Sequence, residues 1–497
     1  MKSRLMRTTV AMLLGIFLLS PFLVKANPVT ASSAVAAPSP SLYLPLVMRP
    51  VAAPIPSVLY LPLVMRNFPL QTLFGAEMDQ LTSGGGLDQM AAANISWTRR
   101  NAVLWSSVKP TEGTYNWGAL SGLESELQNA SEKGMRVILI VRSTPQWARK
   151  IAGSGPYCGP IHPDKLPAFG SFMHELVARY SVPPYNVKYW ELWNEPDIDP
   201  SIFGYGDSIY GCWGDQSDSH YGGRYYAEML KAAYPQIKAA DPQAQVLVGG
   251  LLLDCDPRGS PSVCASLTPP HTDKPPKFLE GILLGGGGPY FDGVSFHAYD
   301  VYWGAFGQYK IPNWNTAWDT TGPTVIAKAG FVKSVLAAYG FSGKFLMNTE
   351  TAILCGSCSN DAIFETTKAY YVAQAYAAAL AQGLRANVWY SVLGWQNSGL
   401  LNSDLSSRPA YTAFQFARSE LRDATFVREI TEYDHVKGYE FQRGDRRIWV
   451  LWSLDGASHP INLPGVPLAI YHVDGTPIPP VGSLTVTLEP LYLEWNP

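Results

Sequence analysis

Between residues 71 and 422 the chain alternates short apolar runs with segments of helical spacing. The runs are Thr72–Ala76, Ile95–Arg99, Arg136–Val141, Val187–Trp193, Gln245–Gly249, Gly293–His297, Lys344–Asn348 and Asn387–Ser391. They are short, mostly apolar, and several are rich in β-branched or aromatic residues, so they read as strands covered on both faces. Between them, Ala119–Lys133, Lys165–Tyr180, Arg224–Ala240, Pro276–Leu284, Thr324–Tyr339 and Ala362–Gln382 carry helical periodicity or propensity. Strands joined through helices lie parallel, and eight of them can close on themselves. The expected class is therefore α/β: a (β/α)8 TIM barrel. A doubly wound open sheet is the rival, but no Gly-rich fingerprint follows the first strand.

The flanks differ in character. Residues 1–26 read as an export signal, with Lys2, Arg4 and Arg7 ahead of an apolar run from Val10 to Val24 and a small-residue cleavage site at Val24-Lys25-Ala26. A retained N-terminal anchor is the other reading, although Pro21 makes the run short for spanning a bilayer. Residues 27–70 form a Pro/Ala-rich linker in which the octapeptide Leu42–Arg49 returns unchanged as Leu59–Arg66. It is either a duplicated spacer or a surface-attachment element. After the barrel at 71–422, residues 423–497 alternate in strand fashion around Asp-Gly and Pro-Gly turns, for instance at Tyr439–Gln442 and Arg447–Ser453. They should form a small C-terminal antiparallel domain, β-sandwich-like.

Export makes the six cysteines informative, because disulfides persist in oxidising compartments. Six cysteines allow 15 pairings. Local order favours Cys158–Cys212, Cys255–Cys264 and Cys355–Cys358, with a metal site on the last pair as the alternative. A net charge of −3 gives no reason to expect nucleic acid or an anionic membrane as a partner. Aromatic residues make up 12% of the chain, and Trp and Tyr in surplus suit the apolar faces of sugars.

In a barrel the functional residues gather at the carboxyl ends of the strands. There the fourth strand delivers Asn194 and Glu195, and the seventh delivers Glu350. The second brings Arg99, the sixth His297 and Tyr299, and the eighth runs toward Trp395. Glu77 and Asp79 follow the first strand with no assigned role. Two carboxylates are what cleavage of an acetal needs. One must be protonated to help the leaving oxygen depart, and the other ionised to attack the anomeric carbon or activate water.

Trp193-Asn194-Glu195-Pro196 and Asn348-Thr349-Glu350 resemble the motifs of retaining glycoside hydrolases of clan A, family 39-like or family 5-like. The resemblance extends to Trp97-Thr98-Arg99, Trp105, Glu112–Trp117, Ser143–Trp147, His297-Ala298-Tyr299 and Trp395. It implies that Glu195 is the acid/base and Glu350 the nucleophile. Asn194 would bind the 2-hydroxyl of the sugar, and Tyr299 would hydrogen-bond Glu350. Arg99 would add positive charge beside Glu350. Trp395 would lie under the sugar, with Trp147 and His297 as further substrate contacts. The implied activity is hydrolysis of β-linked oligo- or polysaccharide by double displacement, in a secreted or cell-surface monomer whose partner is carbohydrate. No metal, nucleotide or other cofactor is expected. A barrel that binds carbohydrate without turnover is the competing reading, which two retained carboxylates disfavour.

Overall fold

The computed structural model describes residues 73–198, 210–259, 262, 264, 275–305 and 311–496. The expected export signal, the expected linker with its duplicated octapeptide, and Thr72 lie outside the described residues. Eight parallel strands form the barrel: β1 (Phe74–Ala76), β2 (Trp97–Leu104), β3 (Arg136–Arg142), β4 (Tyr189–Asn194), β5 (Gln245–Leu251), β6 (Gly293–Tyr302), β7 (Phe345–Leu354) and β8 (Ala386–Trp389). Each pairs with the next, and β8 returns to β1 through Phe74–Asn387, Gly75–Val388 and Ala76–Trp389. The expected (β/α)8 class is the one observed.

The local chemistry explains the elements. In β3 every residue from Val137 to Val141 is buried, as a strand needs when helices cover it outside and other side chains fill the inside. In the helix Leu166–Tyr180, Phe169, Phe172, Met173, Leu176, Val177 and Tyr180 recur at helical spacing and are all buried. Asp361 caps the helix Ala362–Ala381, its carboxylate accepting from the N–H groups of Ile363 (2.9 Å) and Phe364 (3.0 Å). No helix among the described residues is long and apolar enough to cross a membrane.

Several strands run further than their sequence pattern suggests. β2 continues past Arg99 to Leu104, and β7 continues past Glu350 to Leu354, so neither residue lies beyond a strand tip. The reason is a β-bulge. Across β6 and β7, Phe296 pairs with Asn348 but His297 pairs with Glu350. One extra residue in β7 therefore shifts the alternation by one, and a charged residue stays in the ladder while its aim changes.

The C-terminal region forms a six-stranded antiparallel sheet from β9 (Thr425–Ile430), β10 (Val436–Arg443), β11 (Arg446–Ser453), β13 (Ala469–Tyr471), β14 (Pro477–Ile478) and β16 (Leu491–Trp495). A two-stranded ribbon of β12 (His459–Asn462) and β15 (Ser483–Val486) accompanies it. Alternation along β11 divides its faces. Ile448, Val450 and Trp452 join the main core with the barrel helices, whereas Trp449 and Leu451 join a separate cluster with Ile430, Leu493 and Trp495.

Candidate active site

Inside the barrel, Trp97, Ile138, Leu247, Met347, Ala386 and Val388 form an apolar plug contributed by five strands. Charged groups collect next to it. Arg99, two residues beyond Trp97 on β2, is fully buried and held on several sides. Its Nε donates to Glu191 Oε1 (3.0 Å), its Nη1 to Glu77 Oε2 (3.2 Å) and to Glu350 Oε1, and its Nη2 to Asn194 Oδ1 (2.7 Å). One guanidinium thus ties together groups from β1, β2, β4 and β7. A buried charge is tolerated only when paired in this way.

Glu195 follows β4 in a constrained backbone. Trp193 has φ 71° and Glu195 φ 47°, in the left-handed region that bulky L-residues seldom occupy. The surroundings enforce it: the Trp193 ring packs on Phe169 (5.5 Å) and Trp213 (5.1 Å), and the Glu195 N–H donates to Gly250 O (2.9 Å). His297 Nδ1 lies 2.8 Å from Glu195 Oε1 and 3.4 Å from Glu350 Oε2. The imidazole occupies space that glycine leaves open, since a Cβ on Gly250 would fall 2.1 Å from His297 Nε2. Tyr299 donates its hydroxyl to Glu350 Oε2.

Oxygens of Glu195 and Glu350 and a ring nitrogen of His297 all lie within 4.8 Å of one another. Three such groups could in principle hold a cation, but Arg99 and Tyr299 already engage the two oxygens of Glu350. The environments of the carboxylates differ. Burial pushes Glu195 up to about 7, a rise opposed by Arg99, Lys328 and Arg142. Burial likewise raises Glu77 to about 8 and lowers His297 to about 4, so the imidazole is neutral at neutral pH.

Of the sequence-derived candidates, Glu195, Glu350, Arg99, Asn194, His297 and Tyr299 come together in one contact network. Trp395 stands beside it, 43% exposed, with its ring 6.5 Å from that of Tyr299. Trp147 is placed differently. Its Nε1 donates to Lys109 O (3.0 Å), its ring packs on Trp105 (5.4 Å), and no contact ties it to the carboxylates among the described residues. Glu77 gains a role as a partner of Arg99. Glu191 was missed, although a glutamate inside the apolar run Tyr189–Trp193 already demands a buried cation. Lys328, set among Ala327 and Ala329 in a largely apolar helix, carried the same signal.

All three favoured cysteine pairs are disulfides, Cys158–Cys212, Cys255–Cys264 and Cys355–Cys358. The last pair is therefore a bridge rather than a metal site.

Comparison with known proteins agrees with this picture. A glycoside hydrolase family 42 model, described as beta-galactosidase, matches residues 80–152. No curated protein matches the chain by sequence. Among solved structures, a family 39 glycoside hydrolase from Bacteroides cellulosilyticus WH2 is 18% identical, with TM-score 0.63, covering 86% of this chain and 80% of that one. A family 30 endoxylanase from Clostridium papyrosolvens C71 is 13% identical, with TM-score 0.56, covering 86% and 97%. A family 39 β-xylosidase from Caulobacter crescentus is 18% identical, with TM-score 0.50, covering 86% and 96%. The chain thus shares its TIM-barrel fold with these glycoside hydrolases, and part of the barrel is similar to the family 42 model. The Asn194-Glu195 and Glu350 motifs lie outside the stretch matched by the family model.

Proposed function

We propose that the protein is an exported retaining glycosidase that hydrolyses β-linked oligo- or polysaccharide, with Glu195 as acid/base and Glu350 as nucleophile. The observation that carries this reading is the carboxylate pair: oxygens within 4.8 Å, in contrasting environments. Retaining enzymes separate their carboxyl groups by about 5–5.5 Å and inverting ones by about 6.5–9.5 Å, leaving room for a water. Glu350, engaged by Arg99 and Tyr299, attacks the anomeric carbon while Glu195 gives its proton to the departing glycosidic oxygen. The glycosyl–Glu350 ester is then hydrolysed by a water that surrenders a proton to Glu195, which restores both groups. Two inversions leave the anomeric configuration unchanged.

Asn194, held by Arg99, offers its amide to the 2-hydroxyl, a contact that strengthens as the oxocarbenium-like transition state forms. Trp395 presents a partly exposed ring to the sugar face. His297 orients Glu195. Trp147, with its indole N–H engaged by the Lys109 carbonyl, is given no sugar contact in this reading. The three disulfides support an oxidising compartment, as the export signal implies.

The deciding experiment is a screen of aryl β-xylosides, β-galactosides, β-glucosides and plant polysaccharides, with the first product followed by NMR. The β-anomer should appear first. Initial α-anomer would show inversion and remove the nucleophile role from Glu350. Binding without turnover across the panel would favour the competing carbohydrate-binding reading.

A further inference from the structure

Behind Glu195 lies a closed circuit of buried polar groups. Asp197, two residues beyond Glu195, accepts from the N–H groups of Leu252 and Leu253, each at 2.9 Å. The carbonyl of the same Leu252 accepts from Lys328 Nζ (2.7 Å), which also donates to His297 O (2.8 Å). His297 Nδ1 then returns to Glu195 Oε1 at 2.8 Å. Asp197 and His297 are wholly buried and Lys328 is 4% exposed. The circuit joins the β4 loop, the end of β5, the helix Val325–Ala338 and β6.

We propose that Lys328 is a positioning residue for the acid/base step: it locks the ends of β5 and β6 so that His297 is held against Glu195, and it keeps a positive charge behind that carboxylate. This rests on the reading of Glu195 as acid/base. A lysine is not needed here for packing, because an apolar side chain would suit a helix whose Val325, Ala329, Phe331 and Val332 are buried. Nor is it a simple ion-pair partner, since its ammonium donates to the backbone carbonyls of Leu252 and His297. Both carbonyls belong to segments that shape the site.

The charges around the pair define the expected sign. Arg99, Arg142, Glu191, His297, Glu350 and Tyr210 surround Glu195; Asp197, Asp254 and Asp300 act on Lys328. Arg99, Lys328 and Arg142 all favour the ionised form of Glu195. Removing one of these cations therefore moves the acid to higher pKa.

The test compares Lys328→Met, Lys328→Arg and Glu195→Ala on phenyl and 2,4-dinitrophenyl glycosides of the best sugar in the screen. Departure of phenol needs a proton; departure of dinitrophenolate does not. Since general acid catalysis is worth about 10²–10⁴-fold, Lys328→Met should lower kcat/KM on the phenyl glycoside by about tenfold or more. The dinitrophenyl glycoside should stay within about twofold, and the alkaline limb of the pH profile should move upward. Lys328→Arg should restore most of the loss. Equal losses on both substrates, or no loss, would overturn the proposal. Should Lys328→Met not fold, Asp197→Asn opens the same circuit elsewhere, and the same selective loss decides for it or a uniform one against it. Glu195→Ala separates the two layers: if it shows no leaving-group dependence, the acid/base assignment itself fails. If it does and Lys328→Met does not, only the role of Lys328 fails.

Discussion

Trp97 and Arg99 stand two residues apart on β2 and project into the same barrel, yet their surroundings share almost nothing. Trp97 sits among Ile138, Leu247, Met347 and Val388 in the apolar plug, with the Tyr189 ring at its edge (4.7 Å) and the Arg136 guanidinium over its face (5.1 Å). Arg99 sits among Glu77, Glu191 and Glu350, where more carboxylates than cations are buried together. One set of strands thus supplies stability at one level and chemistry at the next, the division expected of this barrel. That division sets where a substitution should be felt. Near Trp97 it should change how much protein is folded; near Arg99 it should change what the folded protein does.

The largest effect tests the functional level. Glu350→Gln should reduce turnover by on the order of 10⁴-fold or more while leaving the thermal transition nearly in place. Substantial activity in that variant would show that the Arg99 level does not carry the chemistry. Arg99→Leu should affect both quantities. It leaves Glu77, Glu191 and Glu350 without their shared cation, and breaking a buried pair costs about 3–5 kcal/mol, readable by denaturant unfolding. Trp97→Ala should cost about 3–5 kcal/mol through the cavity it opens, whereas kcat per folded molecule stays close to that of the parent. A selective loss of kcat there would show that the plug also shapes the site.

The smallest effect concerns protons. Glu195 sits near 7 when folded, above its ordinary value of 4.5, because burial disfavours the charge. Between those values the unfolded chain has released a proton that the folded chain retains, so stability falls as pH rises through that window. Glu195→Gln escapes this loss. Its stability relative to the parent should improve from pH 4 to pH 8 by about 1–3 kcal/mol, checked by melting at both pH values. The catalytic activity of the parent should fall along an alkaline limb near pH 7, as the acid gives up its proton.

Much of this molecule is legible in local pattern. The apolar runs and helical spacings are properties of neighbouring residues, so the eight strands and the six longer helices between them are legible locally, whereas the short helices Leu87–Ala92 and Trp105–Val108 are not. The barrel follows because parallel strands joined by helices have few other ways to cover both faces. Glu195 and Glu350 stand out for a similar reason: Asn194-Glu195-Pro196 ends a strand abruptly, and a glutamate beside Asn348 and Thr349 interrupts an apolar run. Cys255–Cys264 and Cys355–Cys358 are legible because separations of 9 and 3 residues leave few partners, and Cys158–Cys212, 54 residues apart, follows only from order along the chain.

Other features depend on distance in space. Sequence spacing could not tell that β7 carries a bulge that keeps Glu350 within the strand, because register is fixed only when β6 and β8 are in place. It could not separate Trp395, partly exposed beside Tyr299, from Trp147, whose indole N–H is engaged by Lys109, because both are tryptophans in loops after strands. Above all it could not show that Arg99 serves Glu77, Glu191, Asn194 and Glu350 at once, or that Lys328 closes a circuit behind Glu195. Local pattern thus carries the strands, the longer helices and the residue types available for acid–base chemistry. Which charges share a buried space follows from the folded chain, because the energies of burial and pairing act through distance rather than along the chain.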